Sequence, residues 1–102
     1  MKTKMKFDEY YKKIRMSGFS HAYIKQDYGY DEYGNFYLMH CHKLMIIKND
    51  EFLYKRELMF KSFEECEEIA ILKCKELGVE LEYVVVDKNS DDDTVSVRKF
   101  VG

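Results

Sequence analysis

The sequence predicts a two-layer α+β fold, an antiparallel sheet with two helices on one face, in the order α-β-β-β-α-β-β. Three observations carry this. The chain opens on an amphipathic stretch closed by a glycine. Runs rich in aromatic and β-branched residues follow, separated by turn-forming residues. A capped, glutamate-led helix then stands between the third and fourth of those runs, and helices that share one side of an antiparallel sheet are the simplest way to bury both apolar stripes. With 102 residues, 46% of them hydrophobic and 16% aromatic, the chain fits one domain, 1–102, whose core needs no metal or disulfide.

Residues 5–17 read as the first helix, since Phe7, Tyr10, Tyr11 and Ile14 recur at i, i+3, i+4, i+7. Gly18 fits the left-handed position that ends helices. A strand over 20–28 follows, then a loop over 27–35 in which Gly29, Gly34 and Asn35 supply turn conformations. Strand 36–48 turns at Asn49-Asp50 into strand 51–60, in which Phe52, Tyr54, Leu58 and Phe60 share one parity. A two-residue turn there would pair 48 with 51 and so place His42 opposite Glu57.

Ser62-Phe63-Glu64-Glu65 is a capping box. Glu64, Glu65, Glu67 and Glu68 fill the first two turns, where the helix dipole favours negative charge, and Gly78 closes a helix over 63–77. Strands 79–87 and 94–101 end the chain, around a polar turn from Lys88 to Asp93. The helix 63–77 turns Phe63, Cys66, Ala70, Cys74 and Leu77 to its sheet. Small residues at its centre let it lie close, with Cys66 and Cys74 acting as small buried hydrophobes. Ile71 and Leu72 lie off that stripe, Leu72 nearly opposite it, and suggest a second contact face for a homodimer or another protein.

Charge is uneven although the net is only −2. Lys2, Lys4, Lys6, Lys12, Lys13 and Arg15 make the first 15 residues basic. On a helix, Lys4, Lys6, Lys12, Lys13 and Arg15 would flank the apolar stripe and form a contact for an anionic partner such as a phosphate backbone. The rest of the chain is acidic, so the whole molecule is no polycation.

Constellations for catalysis are missing from the sequence. No glycine-rich phosphate loop or nucleophile elbow is present, and Ser17, Ser20, Ser90 and Ser96 have no local partner to activate them. His40-Cys41-His42 holds the one cluster of ligand-like types. On a strand only the two histidines share a face, short of the four ligands of a structural zinc site. No catalytic residue, metal site or cofactor is therefore expected. Three cysteines, an odd number, and a charged opening in place of an apolar leader point to reduced thiols and a cytoplasmic setting. The wealth of Lys, Tyr, Ile, Asn, Asp and Glu matches AT-rich genomes and points to a bacterium or its phages and plasmids.

Tyrosine is the compositional anomaly, with seven of nine in the first 37 residues. Tyr28, Tyr30 and Tyr33 stand in one loop with Asp31 and Glu32. Tyrosine offers rigid contact area with a hydrogen-bonding tip, so this loop is a candidate protein-binding surface.

The α-β-β-β-α layout of residues 1–78, with Lys61-Ser62-Phe63-Glu64-Glu65-Cys66-Glu67-Glu68-Ile69-Ala70 as a serine-capped second helix, resembles double-stranded-RNA-binding domains. The strand-to-helix element is also similar to one in small uncharacterised phage and plasmid proteins. The resemblance implies the fold. The RNA contacts of that family use lysines at the start of the second helix and a Gly-Pro-His-type loop. Four glutamates and Tyr-Gly-Tyr-Asp-Glu-Tyr-Gly stand there instead, so those contacts do not carry over.

The expectation is a small non-enzymatic protein that acts through protein–protein contacts, as a homodimer or with another protein. One concrete form is a phage inhibitor that sets acidic loops against a basic site in a host defence system. The alternative is a nucleic-acid-binding accessory protein that uses the basic first helix with its neighbouring tyrosines.

Overall fold

The computed structural model describes residues 2–88 and 92–100, apart from the side chains of Lys2, Leu38, Met39 and His40. The described elements run β1 (Lys2–Lys6), α1 (Phe7–Tyr10), β2 (His21–Tyr30), β3 (Phe36–Lys48), β4 (Glu51–Met59), α2 (Phe63–Leu77), β5 (Tyr83–Asp87) and β6 (Thr94–Lys99). α1 continues without a break into a π-helical segment, Tyr11–Arg15, where Met16 N–H donates to the Tyr11 carbonyl five residues back, at 2.9 Å.

The predicted fold class is overturned at three points. A strand precedes the first helix, so the order is β-α-β-β-β-α-β-β. The six described strands form one mixed sheet, ordered β1-β6-β5-β2-β3-β4, in which β2 and β5 are parallel. The helices lie on opposite faces, making three layers. Ala22 and Ile24 of β2, Leu44 and Ile46 of β3, and Val84 of β5 pack with Cys66, Ala70 and Cys74 of α2. The alternate residues Tyr23, Ile47 and Val85, with Val95 and Val97, pack with Tyr10 and Ile14. Successive strand residues point to opposite faces, so the central strands β2, β3 and β5 feed both cores.

The opposite faces follow from the crossovers. Both β1-α1-β2 and β4-α2-β5 join parallel strands, because two antiparallel steps restore direction. Each advances three places along the sheet, but in opposite directions. Parallel crossovers share one hand, so opposite travel sets the helices on opposite faces. The lysine-rich Lys2–Lys6 segment holds few apolar residues to mark a strand. It becomes one because β6 offers a row of unpaired backbone groups to it.

Local signals hold where chemistry is local. α2 spans the predicted residues, with both halves of the capping box formed and Gly78 left-handed at φ 70°. Asn49 and Asp50 take positive φ in the β3–β4 turn, the conformation a two-residue hairpin requires. Gly18, at φ 83°, sits so close to Asn49 that an added Cβ would lie 2.7 Å from the Asn49 Oδ1. Arg15 pairs with Asp50 and lies across the rings of Tyr11 and Phe52. This ties the π-helical segment to the far hairpin.

The register of β4 differs from the expected one. Lys48 does face Glu51, but Leu53 bulges out between Phe52, opposite Ile47, and Tyr54, opposite Ile46. From there every partner is displaced by one, so His42 faces Leu58 and Lys43 faces Glu57. Phe52 thus leaves the parity it was expected to share with Tyr54 and Leu58. Residues 89–91 of the predicted polar turn 88–93 lie outside the described residues.

Candidate functional site

Beyond the body of the sheet, β2 and β3 continue as a two-stranded arm. β5 accompanies β2 only from His21 to Lys25, and β4 accompanies β3 only as far as Cys41. The pairs Tyr28–Leu38, Gly29–Tyr37 and Tyr30–Phe36 have no third strand beside them among the described residues. The chain measures 45 × 27 × 24 Å. The expected loop therefore shrinks to residues 31–35, and Tyr28 and Tyr30 belong to a strand.

Alternation places Tyr28 and Tyr30 on one face of the arm, and pairing brings Phe36 beside them. The Tyr28 and Phe36 rings stack at 5.6 Å and 30°, and Tyr30 meets Tyr28 at 6.0 Å and Phe36 at 5.9 Å, edge to face. Lys25 lies over the Tyr28 ring. On the opposite face the Tyr37 ring lies across Gly29, where a Cβ would come within 2.8 Å of two atoms at the ring's outer end. All five aromatics of the arm and its turn are exposed, and Tyr33 at the tip keeps 82% of its surface.

Asp31 has a role that differs from the expected one. Its carboxylate accepts from the backbone N–H of Asn35 at 2.8 Å and of Tyr33 at 2.9 Å, and from the Asn35 side chain at 3.2 Å. These bonds, that from the Asn35 backbone foremost, hold its pKa below the ordinary carboxylate value. Asp31 therefore builds the turn, and Glu32 and Tyr33 are what the turn presents.

Ile71 and Leu72 are on α2 and do not join this surface. Ile71 packs against the α2-side core and borders a groove of about 500 Å³ with Cys74, Leu81 and Phe100. Leu72 is 60% exposed on the outer side of the helix, whereas Leu77, expected on the sheet side, is also exposed at the helix end.

The five basic residues are divided as well. Lys4 and Lys6 lie on β1, where Lys4 borders a cleft with Lys88, Thr94 and Ser96 on the α2 side of the sheet. Lys13 borders a different one with Thr3, Met5 and Lys99 on the α1 side. Lys4 and Lys6 hold Asp92, Lys13 holds Glu9, and Arg15 holds Asp50. One helical row of cations does not exist, because β1 replaces the first turn of the expected helix.

Two further polar clusters lie in the sheet. Asp27, Cys41 and Glu57 bring three ligand-type atoms within 4.8 Å of one another. Lys43 stands among them, 3.8 Å from Asp27 and 4.0 Å from Glu57, so the cluster already contains its cation. Burial, and a hydrogen bond to the Asp27 carboxylate, push the Cys41 thiol pKa up, as burial does for Cys66 and Cys74. The second cluster is buried: Tyr10 Oη lies 2.7 Å from His21 Nε2, His21 Nδ1 lies 3.0 Å from the Phe19 carbonyl, and the Tyr23 hydroxyl donates to Asp87 at 2.6 Å. Desolvation raises the Tyr10 and Tyr23 pKa values and lowers that of His21.

His42 is buried against Phe63, ring centroids 4.4 Å apart, and neither ring nitrogen has a partner among the described residues. The side chain of His40 lies outside the described residues. Phe36 and Tyr37, both exposed, join the arm without having been expected there. The available signal was alternation: Tyr28 and Tyr30 two positions apart, with Phe36 following across a turn-forming Gly34-Asn35.

No family model, no curated protein and no solved structure matches this chain.

Proposed function

We propose that the protein is a non-enzymatic binding module whose aromatic arm engages a protein surface. The observation that carries this is the packed and exposed Tyr28–Tyr30–Phe36 cluster on a hairpin that no core supports. An isolated two-stranded hairpin is marginal in water, and aromatic clusters of this kind gain by being covered. Tyrosine suits such a surface, having large contact area, few torsions and a polar tip. Glu32 and the Asp31 turn make the tip acidic, which favours a basic contact and opposes a phosphate backbone.

The test is a photo-crosslinking residue at position 33 in cells expressing the protein at native level. A discrete protein crosslink is expected, lost in the Tyr30→Ser/Phe36→Ser variant while the near-ultraviolet spectrum of the α1-side tyrosines is unchanged. A crosslink that survives the double substitution, or a nucleic-acid adduct in its place, overturns the reading.

A further inference from the structure

We propose that the arm receives an arginine side chain of its protein partner, the guanidinium set against the Tyr30 and Phe36 rings and paired with Glu32. This rests on the arm being a protein-binding surface and names the chemistry it takes. Residues 26–40, which make up the arm and its turn, carry Asp27, Asp31 and Glu32 and neither lysine nor arginine. All 17 lysines and arginines, and 16 of the 19 acids, lie elsewhere in the chain. The negative excess of the molecule therefore sits in the same stretch as five exposed aromatic rings. Such a surface suits a cation with a flat, weakly hydrated face. Of the two basic side chains that is arginine, which stacks on a ring and pairs with a carboxylate at once.

The chain itself holds one guanidinium in this way. Arg15 lies 5.1 Å from the centroid of the Phe52 ring and 5.4 Å from that of Tyr11, and it pairs with Asp50. Asp50 stands in the β3–β4 turn and Phe52 two residues along the chain from it. The arm repeats this donor set at its own turn. Tyr30 and Phe36 form the last pair of the ladder, and Glu32 lies in the turn two residues beyond Tyr30.

Asp31 is committed to Tyr33 and Asn35 within the turn, which leaves Glu32 as the carboxylate that can meet a partner. Lys25 lies over the Tyr28 ring. Among the described residues no cation lies over Tyr30 or Phe36, and none pairs with the exposed Glu32. Tyr30 and Phe36 keep 63% and 52% of their surface, enough for a planar group to lie against them.

A nuclear magnetic resonance titration of the full chain with the peptide Arg-Gly-Arg-Gly-Arg-Gly, up to about 5 mM, reads the contact. The largest shifts are expected at Tyr30, Glu32 and Phe36. The lysine counterpart of the peptide should bind about threefold more weakly, and the uncharged citrulline counterpart should not bind. Glu32→Gln and Tyr30→Leu should each weaken the arginine peptide by about threefold, with the resonances of Ile14 and Val85 unmoved. Equal binding of the arginine and lysine peptides overturns the guanidinium site. So does binding that ignores both substitutions, a set of largest shifts on α2 at Glu64–Glu68, or no shift at the highest concentration. If any of these holds while the crosslink from position 33 to a protein still depends on Tyr30 and Phe36, the guanidinium site fails and the binding role of the arm stands.

Discussion

Two buried histidines show how differently one residue type can be placed. His21 has both ring nitrogens engaged, its Nδ1 at the Phe19 carbonyl and its Nε2 at the Tyr10 hydroxyl. The neutral ring with its proton on Nδ1 satisfies both, donating to the carbonyl and accepting from tyrosine. Burial lowers its pKa from the ordinary 6.5. The unfolded chain therefore takes up this proton at higher pH than the folded one. Its contribution to stability is fully present above pH 6.5, and is lost as pH falls from there toward the folded value. Thermal melts should show lower stability at pH 5 than at pH 7.5, with a shallower slope for His21→Gln. His42 is the opposite case, buried with two orphaned nitrogens. An unsatisfied buried polar group costs about 1–3 kcal/mol. His42→Leu should therefore raise stability, by about 1 kcal/mol after loss of the Phe63 ring contact. A lower melting temperature would show that the imidazole is satisfied.

At the scale of elements, the bulge at Leu53 decides which face each later residue of β4 presents. Removing Leu53 leaves Phe52 opposite Ile47 and Tyr54 opposite Ile46 with nothing between them. The downstream pairs need not move. Deletion of Leu53 should change stability by no more than about 1 kcal/mol. Nuclear Overhauser contacts of Cys41 with Met59 and of Lys43 with Glu57 should be unchanged. A new contact of His42 with Glu57 would show that the strand had slipped. The same bulge marks what could be read from the sequence. The capping box, the Gly78 stop and the Asn49-Asp50 turn were legible because a few adjacent residues determine them. The identity of the Phe7, Tyr10, Tyr11, Ile14 stripe was legible from its period. The bulge was not, since Leu53 resembles its neighbours and is extruded by the fit of two strands. β1 was not, since its partner lies 90 residues away. The aromatic arm was half legible: the tyrosines stood out, but a loop was expected where cross-strand pairing extends two strands.

The whole molecule has an internal pattern. β1-α1-β2-β3 and β4-α2-β5-β6 are two β-α-β-β units, joined at Asn49-Asp50. In the sheet order β1-β6-β5-β2-β3-β4, rotation about an axis between the parallel β5 and β2 carries each unit onto the other and exchanges the faces. Each unit's hairpin lies between the strands of the other, so neither unit has a complete sheet alone. Peptides 1–49 and 50–102 should be unstructured separately and regain the native circular dichroism on mixing. A folded single peptide would show that one core suffices.

This interleaving also orders events in time. Lys2–Lys6 leaves the ribosome well before its partner strand, Thr94–Lys99, is made. At about 5–20 residues per second, roughly 5–20 seconds separate the two. No amount of early collapse can shorten that wait. The lysines along β1 blunt its unpaired edge meanwhile, and the sheet is completed only once β6 has been made.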